Sequence, residues 1–370
     1  MQRKLTNKQR QALLKIFCLV LAVGMFVGTL FAVPCIVGAM PRMSGTSTKG
    51  LLYGDIALAE DVPAFALGGG NFEISKKEED DHKQESENSS NPETEEESAE
   101  VPEKIPTAGD LFVTASNLCW YEIGDEPSLN IINRTGYAVD LKDYLEREFP
   151  IKANISSEPL VLIIHTHGSE SYLPSGQGFY SPDESFRSFE EGKTVVHIGE
   201  LLAKRLGELG ISAIHDKTMH DKKDYNTSYV ASSKAIEEYL SEYPSIRFVI
   251  DVHRDSVFDS AGNNIKPLTT INGKDCAQLM LVVGTDEAGI AHPGWRQNLT
   301  FATYLQQKMN DGFPTLARPI NLRTAEFNQS YTKGSVILEV GSCGNTVEEA
   351  ENAIICFADA YASLLKEMLG

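Results

Sequence analysis

The residues best suited to chemistry in this chain are the two histidines and the glutamate of HTHGSE, His165 to Glu170, which follow the apolar run Leu160–Ile164. Two later stretches repeat the arrangement. Ile246–Ile250 leads into Asp251, His253, Arg254 and Asp255, and Ser335–Leu338 leads into Glu339, Gly341 and SCGN. His167 and Glu170, three positions apart, suit zinc together with the distant His253. Catalytic zinc commonly takes two histidines and a glutamate and leaves a fourth position for water. Three residues is too far for neighbours on a straight strand, so Gly168 is expected to supply a turn. His165 shares strand parity with His167 and is expected on the same side, either replacing His167 as a ligand or orienting the site from behind the ligands. Asp251 has the parity of His253 and can hold its imidazole. Glu339 is then the candidate general base. Zinc lowers the pKa of the water it holds toward about 7, and a nearby carboxylate can take that proton and hand it to a leaving amine. Arg254, or the glycine-rich backbone, is a candidate for stabilising the oxyanion. The set would make a metal-assisted amide hydrolase.

Each residue alone is a weak signal, because a single histidine at a strand end is more often a satisfied polar group than a ligand. The convergence of three strand ends carries the argument. His197, His215, His220 and His292 lack such company. His197 falls in a helix and reads as structural, whereas His220 beside Asp221 could line a cleft. Serine chemistry at Ser169 lacks the G-x-S-x-G elbow. A thiol nucleophile at Cys343, close to Glu339, would leave the three-strand pattern unexplained.

The elements that must position these residues alternate in type. Val195–Leu209 has helical periodicity and stops at Gly210. Ile211–Ile214 is a short apolar run, and Tyr229–Tyr243 is helical up to Pro244. Ile246–Val252, Leu279–Gly284 and Val336–Val340 read as strands, Trp295–Met309 as a helix. Thr346 to Glu349 is a capping box opening a helix to Leu369. Strands alternating with helices predict an α/β fold, a three-layer sandwich with a mostly parallel twisted sheet flanked by helices. Ligands of such sheets bind beyond the carboxyl ends of the strands, where the histidines and carboxylates lie.

Upstream the composition changes. Residues 16–41 hold no charge over 26 positions, about 39 Å as a helix at roughly 1.5 Å per residue. That is enough to cross a hydrocarbon core of about 30 Å. Arg3, Lys4, Lys8, Arg10 and Lys15 precede it, and only Arg42 and Lys49 follow closely. The positive-inside rule therefore places residues 1–15 in the cytoplasm and the rest outside. The apolar run exceeds the roughly 7–15 residues of a cleaved signal peptide. Residues 42–107 read as an extracytoplasmic linker. Its segment 75–104 has twelve acids, four bases and one large aliphatic residue, too little apolar surface to offset ordering entropy. His82 there is expected to be simply solvated. Residues 108–370 are left as the catalytic domain. The net charge of −19 argues against nucleic acid as a partner. Cys119, Cys276, Cys343 and Cys356 are widely spaced with no C-x-x-C pair, so spacing alone leaves their pairing open.

HTHGSESY, DVHRDS, FNQ at Phe327–Gln329 and ILEVGSCGNTVEEA together resemble the stage II sporulation protein P family of endospore-forming bacteria, over roughly residues 108–370. The anchor-plus-spacer layout is similar too. That family is related to zinc N-acetylmuramoyl-L-alanine amidases, whose closing motif resembles ILEVGSCGN. The resemblance makes Glu339 the catalytic glutamate and His253 the last zinc histidine. Asn328, Gln329 and Asn345, within the shared motifs, are candidate substrate-binding residues. There is one departure. Amidases of this class carry the zinc glutamate about fifteen positions after the first histidine. Here Glu190 and Glu191 are further along still, so Glu170 stays the expected ligand, in the manner of zinc carboxypeptidases. The resemblance further implies cleavage between N-acetylmuramic acid and L-alanine in peptidoglycan, some endopeptidase action on cross-links, and partnership with stage II sporulation proteins D and M. The setting it implies is the septal and engulfing membrane. Two alternatives stand beside this reading: a zinc carboxypeptidase-like peptidase, and a non-catalytic wall-binding scaffold, which has no need of His167, Glu170, His253 and Glu339 together.

Overall fold

Five consecutive buried residues, Leu160–Ile164, can only be accommodated where both faces of a strand are covered. The computed structural model of the chain describes residues 57–58, 104–121, 125 and 127–370. The expected membrane segment 16–41 and nearly all of the acidic segment 75–104 lie outside the described residues. Among those described, no helix is long and apolar enough to cross a membrane.

The strands in chain order are β1 (Ala57–Leu58), β2 (Leu111–Phe112), β3 (Thr114–Ser116), β4 (Ile131–Asn133), β5 (Val161–Ile164), β6 (Phe179–Tyr180) and β7 (Ala213–His215). They continue with β8 (Phe248–Asp255), β9 (Val257–Phe258), β10 (Ile265–Ile271), β11 (Lys274–Ala277), β12 (Leu279–Gly284), β13 (Ile320–Arg323) and β14 (Gly334–Ser342). The α-helices are α1 (Leu141–Leu145), α2 (Val195–Glu208), α3 (Ser228–Glu242), α4 (Trp295–Gly312) and α5 (Val347–Leu369). The fold is mixed α/β. Seven strands make the main sheet in the order β4-β13-β12-β14-β8-β5-β7. Only β12 with β14 pairs antiparallel; the other five pairings are parallel. A separate hairpin, β10–β11, turns at Asn272-Gly273, both with positive φ, the pair a tight primed turn requires.

Strand alternation sorts the side chains into two layers. Val161, Ile163, Phe248, Ile250, Val252, Val336 and Leu338 pack with residues of α2, α4 and α5. Leu162, Ile164 and Val249 point the other way, onto Ile236 of α3. Each fully buried aliphatic side chain contributes about 1.5–3 kcal/mol. The helix ends follow local chemistry. Thr194 Oγ1 accepts the Val196 N–H at the start of α2, and Gly210, at φ +79°, lies just beyond its end. Thr346 and Glu349 form the reciprocal capping box of α5.

Candidate active site

The site lies on the α3 face of the sheet, at the carboxyl ends of β5, β8 and β14. On β8, Asp251 and His253 follow Val249 onto that face. In the parallel pairing of β8 with β14, His253 stands directly beside Glu339. Adjacent strands run about 4.8 Å apart, so imidazole and carboxylate leave the same face as neighbours. Both are buried. Beyond Glu339 the ladder bulges before Ser342. Gly341 sits there at φ +66°, where an added Cβ would meet Asn345 Oδ1 at 2.5 Å.

The Glu170 loop reaches β14 through hydrogen bonds. The Tyr172 hydroxyl donates to the Val340 carbonyl at 3.0 Å. Leu173 and the Asn345–Val347 turn exchange backbone bonds, Leu173 N to Asn345 O and Val347 N to Leu173 O. Residues 166–169 turn, and a side chain at Gly168 would strike the Met219 backbone at 2.8 Å. Glu170 is thereby carried to β8. Its Oε2 accepts the Arg254 N–H at 3.0 Å and lies 3.5 Å from His253 Nδ1. His253 Nε2 is 2.9 Å from Asp251 Oδ1. That is ion-pair range, although the ring is not aligned for a straight hydrogen bond. Asp251 is itself held by Thr166, whose N–H and hydroxyl donate to Oδ1 at 2.8 Å and Oδ2 at 2.6 Å. His167 packs edge-on to His253, ring centroids 5.3 Å apart, and stacks on Tyr225 at 4.2 Å. Its Nδ1 is buried without a hydrogen-bond partner.

These contacts set the charges. Burial alone would raise the Glu170 carboxyl, but the bond and charge of His253, with Arg254, carry it below the usual range. Burial opposes a charge on His253, yet Asp251 and Glu170 on either side hold its pKa well above the ordinary value. Burial lowers His167 to about 4, so its ring is a neutral donor. The two carboxylates favour positive charge at the ring between them.

Donor chemistry fits zinc. Two ligands of one tetrahedral zinc, each about 2.0–2.1 Å away, are about 3.3 Å apart, close to the 3.5 Å between His253 Nδ1 and Glu170 Oε2. Asp251 behind the other ring nitrogen is the usual partner of a metal-bound histidine. His167, with its orphaned Nδ1, is the third donor at hand. Among the described residues, no group of three or more His, Cys, Asp or Glu stands close enough together to hold a metal as arranged.

Several expected residues sit elsewhere. His165 does not share the side of His167. Strand parity persists through Thr166 and breaks in the turn after it, so His165 follows Ile163 onto the α2 face. There a Cβ on Gly199 would meet its ring at 2.4 Å. Its Nδ1 pairs with Val252 O at 3.0 Å and its Nε2 with His215 Nε2 at 2.8 Å, which leaves neither nitrogen for a ligand role. Arg254 is no oxyanion donor. It alternates away from His253, and its guanidinium donates to Ser171 O, Phe186 O and Ser256 Oγ at 3.2, 2.7 and 2.8 Å. The candidate substrate amides are likewise committed. Gln329 bonds Gly284 N and Val282 O, and Asn345 bonds Ser342 N, Pro267 O and Glu349. Asn328, left-handed at φ 55°, donates to Tyr229 O and Ser232 Oγ. Ser169 gives its hydroxyl to Asp221 at 2.5 Å, and burial raises the Cys343 thiol. Glu190 and Glu191 are exposed, Glu190 paired with Lys193. His197 ties α2 to α5 through Glu351, and His220 pairs with Asp216.

Arg187 escaped the sequence reading. One guanidinium nitrogen lies 2.9 Å from both Ser169 Oγ and Asp221 Oδ2, and the other is 4.0 Å from Glu170. Its plane covers Tyr225, the ring stacked on His167 and 49% exposed. A lone arginine in a loop carries no pattern that could have singled it out.

A sequence profile of the stage II sporulation protein P family matches residues 58–362. The chain belongs to that family. Stage II sporulation protein P of Bacillus subtilis is 28% identical over 227 residues, covering 58% of this chain and 53% of that protein. The chain thus matches about half the length of that relative. Similar solved structures include an N-acetylmuramoyl-L-alanine amidase of Nostoc punctiforme, 13% identical, covering 57% of this chain and 98% of that one at a TM-score of 0.30. The CwlD amidase of Clostridioides difficile, solved in complex with the GerS lipoprotein, is 12% identical, with coverages of 56% and 98% and a TM-score of 0.33.

Proposed function

We propose that this member of the stage II sporulation protein P family is a peptidoglycan hydrolase that cleaves the amide between N-acetylmuramic acid and L-alanine. The observation that carries the reading is Glu339 in register beside His253, with Glu170 3.5 Å from that ring and His167 packed against it. His167, Glu170 and His253 would hold zinc. When bound, zinc supplies Lewis acidity to the scissile carbonyl and acidifies the attacking water. Asp251 fixes the His253 ring so that Nδ1 faces Glu170. Glu339 takes the proton from water and returns it to the amine of L-alanine as the C–N bond breaks. Tyr225 and Arg187, at the open side of His167, are placed to meet the substrate. Residues 16–41 anchor the enzyme in the membrane with its catalytic part outside, where cross-linked wall is the substrate and stage II sporulation proteins D and M are the partners. Endopeptidase action on the cross-links belongs to the same proposal.

The test is digestion of purified sacculi by the full-length chain, with product analysis and metal content. The expected result is about one zinc per chain and new L-alanine amino termini freed from muramic acid. Release of single amino acids instead would mark a carboxypeptidase, and full activity of a metal-free preparation would overturn the reading. Glu339→Gln should keep zinc and its melting temperature while losing at least about 100-fold in rate.

A further inference from the structure

Four thiols lie among the described residues, and two of them face each other. Cys119 Sγ is taken up by the Thr315 and Ala317 carbonyls at 3.0 and 3.1 Å, and Cys343 Sγ by Asn264 Oδ1 at 3.2 Å. Cys276, by contrast, is on the buried side of β11, under α5, where its thiol donates to the Lys274 carbonyl at 3.6 Å, and Cys356 of that helix packs against the same core, near enough for each thiol to shift the other's pKa. A second contact fixes this approach. Asn352, one helical turn before Cys356 and on the same helix face, donates from Nδ2 to the carbonyl of Asp275 at 3.0 Å. Ala353 and Phe357 pack in the same core as Cys276, and Cys356 is half-buried against it. The two thiols are thus presented to each other by rigid elements, one enclosed and one within reach of solvent.

We propose that Cys276 and Cys356 are the site of a disulfide bond formed with an external disulfide oxidant, which covalently joins the β10–β11 hairpin to α5. The accessible Cys356 thiolate attacks one sulfur of the oxidant, breaking its S–S bond and releasing one thiolate. Cys276 then attacks Cys356 Sγ, forming the intramolecular S–S bond and expelling the second thiolate. The two protons lost by the cysteines end on the two thiols released, so the protein dithiol is oxidised and the oxidant disulfide reduced by two electrons. In the reduced pair the Cys356 thiol draws Cys276 below the ordinary thiol range, while Cys276 and burial push Cys356 up; the order of attack is set instead by access, since Cys356 is half-buried and Cys276 is enclosed.

The bond would close a loop of about 80 residues, and such loops lose substantial unfolded-state entropy when cross-linked. It also bears on the site. α5 begins at the Thr346 cap, and the turn before it is stitched to Leu173 in the loop that carries Glu170. The inference stands independently of the proposed activity.

The full-length chain is equilibrated with oxidised glutathione or with dithiothreitol, alkylated, digested without reduction and mapped by mass spectrometry. The expected result is one linked pair of peptides carrying Cys276 and Cys356, lighter by two hydrogens than the reduced pair. The melting temperature should rise by about 5–10 °C over the reduced protein. Cys356→Ser and Cys276→Ser should each abolish both the link and the shift. The half-buried position 356 makes the first variant the one that folds most readily. Full alkylation of both cysteines after oxidation would overturn the proposal, as would a lasting glutathione adduct on Cys356 or an unchanged shift in Cys356→Ser.

Discussion

His253 is held between two carboxylates, and each has a separate job. Glu170 faces Nδ1 at 3.5 Å, and Asp251 faces Nε2 at 2.9 Å. On the proposed reading of His167, Glu170 and His253 as zinc ligands, removing the Asp251 charge frees the ring without removing a ligand, and Asp251→Asn is expected to weaken zinc affinity about 10–100-fold, measured by competition with a chelator. Arg254 behaves differently because its donors are spent on the Ser171 and Phe186 carbonyls and the Ser256 hydroxyl. Arg254→Lys keeps the charge but loses the planar fork. It should lower stability by about 2–4 kcal/mol, read as a shift in the urea midpoint. A role in oxyanion binding predicts instead an unchanged midpoint with slower hydrolysis. The types and order of His167, Glu170, His253 and Glu339 were readable from the chain, since three apolar runs each end in them. Which way His165 and Arg254 point was not, because alternation depends on the residue at which a strand gives way to a turn.

Among the elements, β14 is the one whose local irregularity matters most. Its ladder with β8 breaks between Glu339 and Ser342, and Gly341 occupies a left-handed conformation hemmed in by Asn345 and Ala277. Gly341→Ala should cost about 1–3 kcal/mol, seen as a lower melting temperature, with a loss of activity larger than the unfolded fraction explains. The helices were legible because their ends are written locally. Gly210, Pro244 and the Thr346–Glu349 box lie where α2, α3 and α5 stop or start. The β10–β11 hairpin is marked just as locally, by Asn272-Gly273 after the alternating run of β10. β4 and β13 had no such sign. They are only three and four residues long, and their pairing partners are far away in sequence.

At the scale of the whole molecule, the two faces of the sheet separate two histidine clusters. His165 and His215 share a buried contact on the α2 face, and burial depresses them to about 4 and about 3. The unfolded chain binds protons at these side chains near pH 6.5, whereas the folded one refuses them until much lower pH. Their contribution to stability is therefore complete above about pH 6.5 and falls as pH drops toward 4 and then 3. Melting temperatures recorded from pH 7 to pH 4 should decline, and His215→Gln should flatten that slope relative to the parent chain.

The sequence by itself determined the alternation of apolar strands and amphipathic helices, the caps that end them, and the placing of histidines and acids just past three strands. These are short-range matters, governed by hydrophobic periodicity and backbone hydrogen bonding within a few residues. Only the tertiary structure decided that β8 and β14 are neighbours in register, so that His253 and Glu339 stand side by side. It also decided that His165 turns its back on them, that Arg187 joins them from a loop, and that Cys276 meets Cys356. The physical reason is that strand order and loop docking are settled by burial and hydrogen-bond pairing between segments far apart in the chain, which no local pattern encodes.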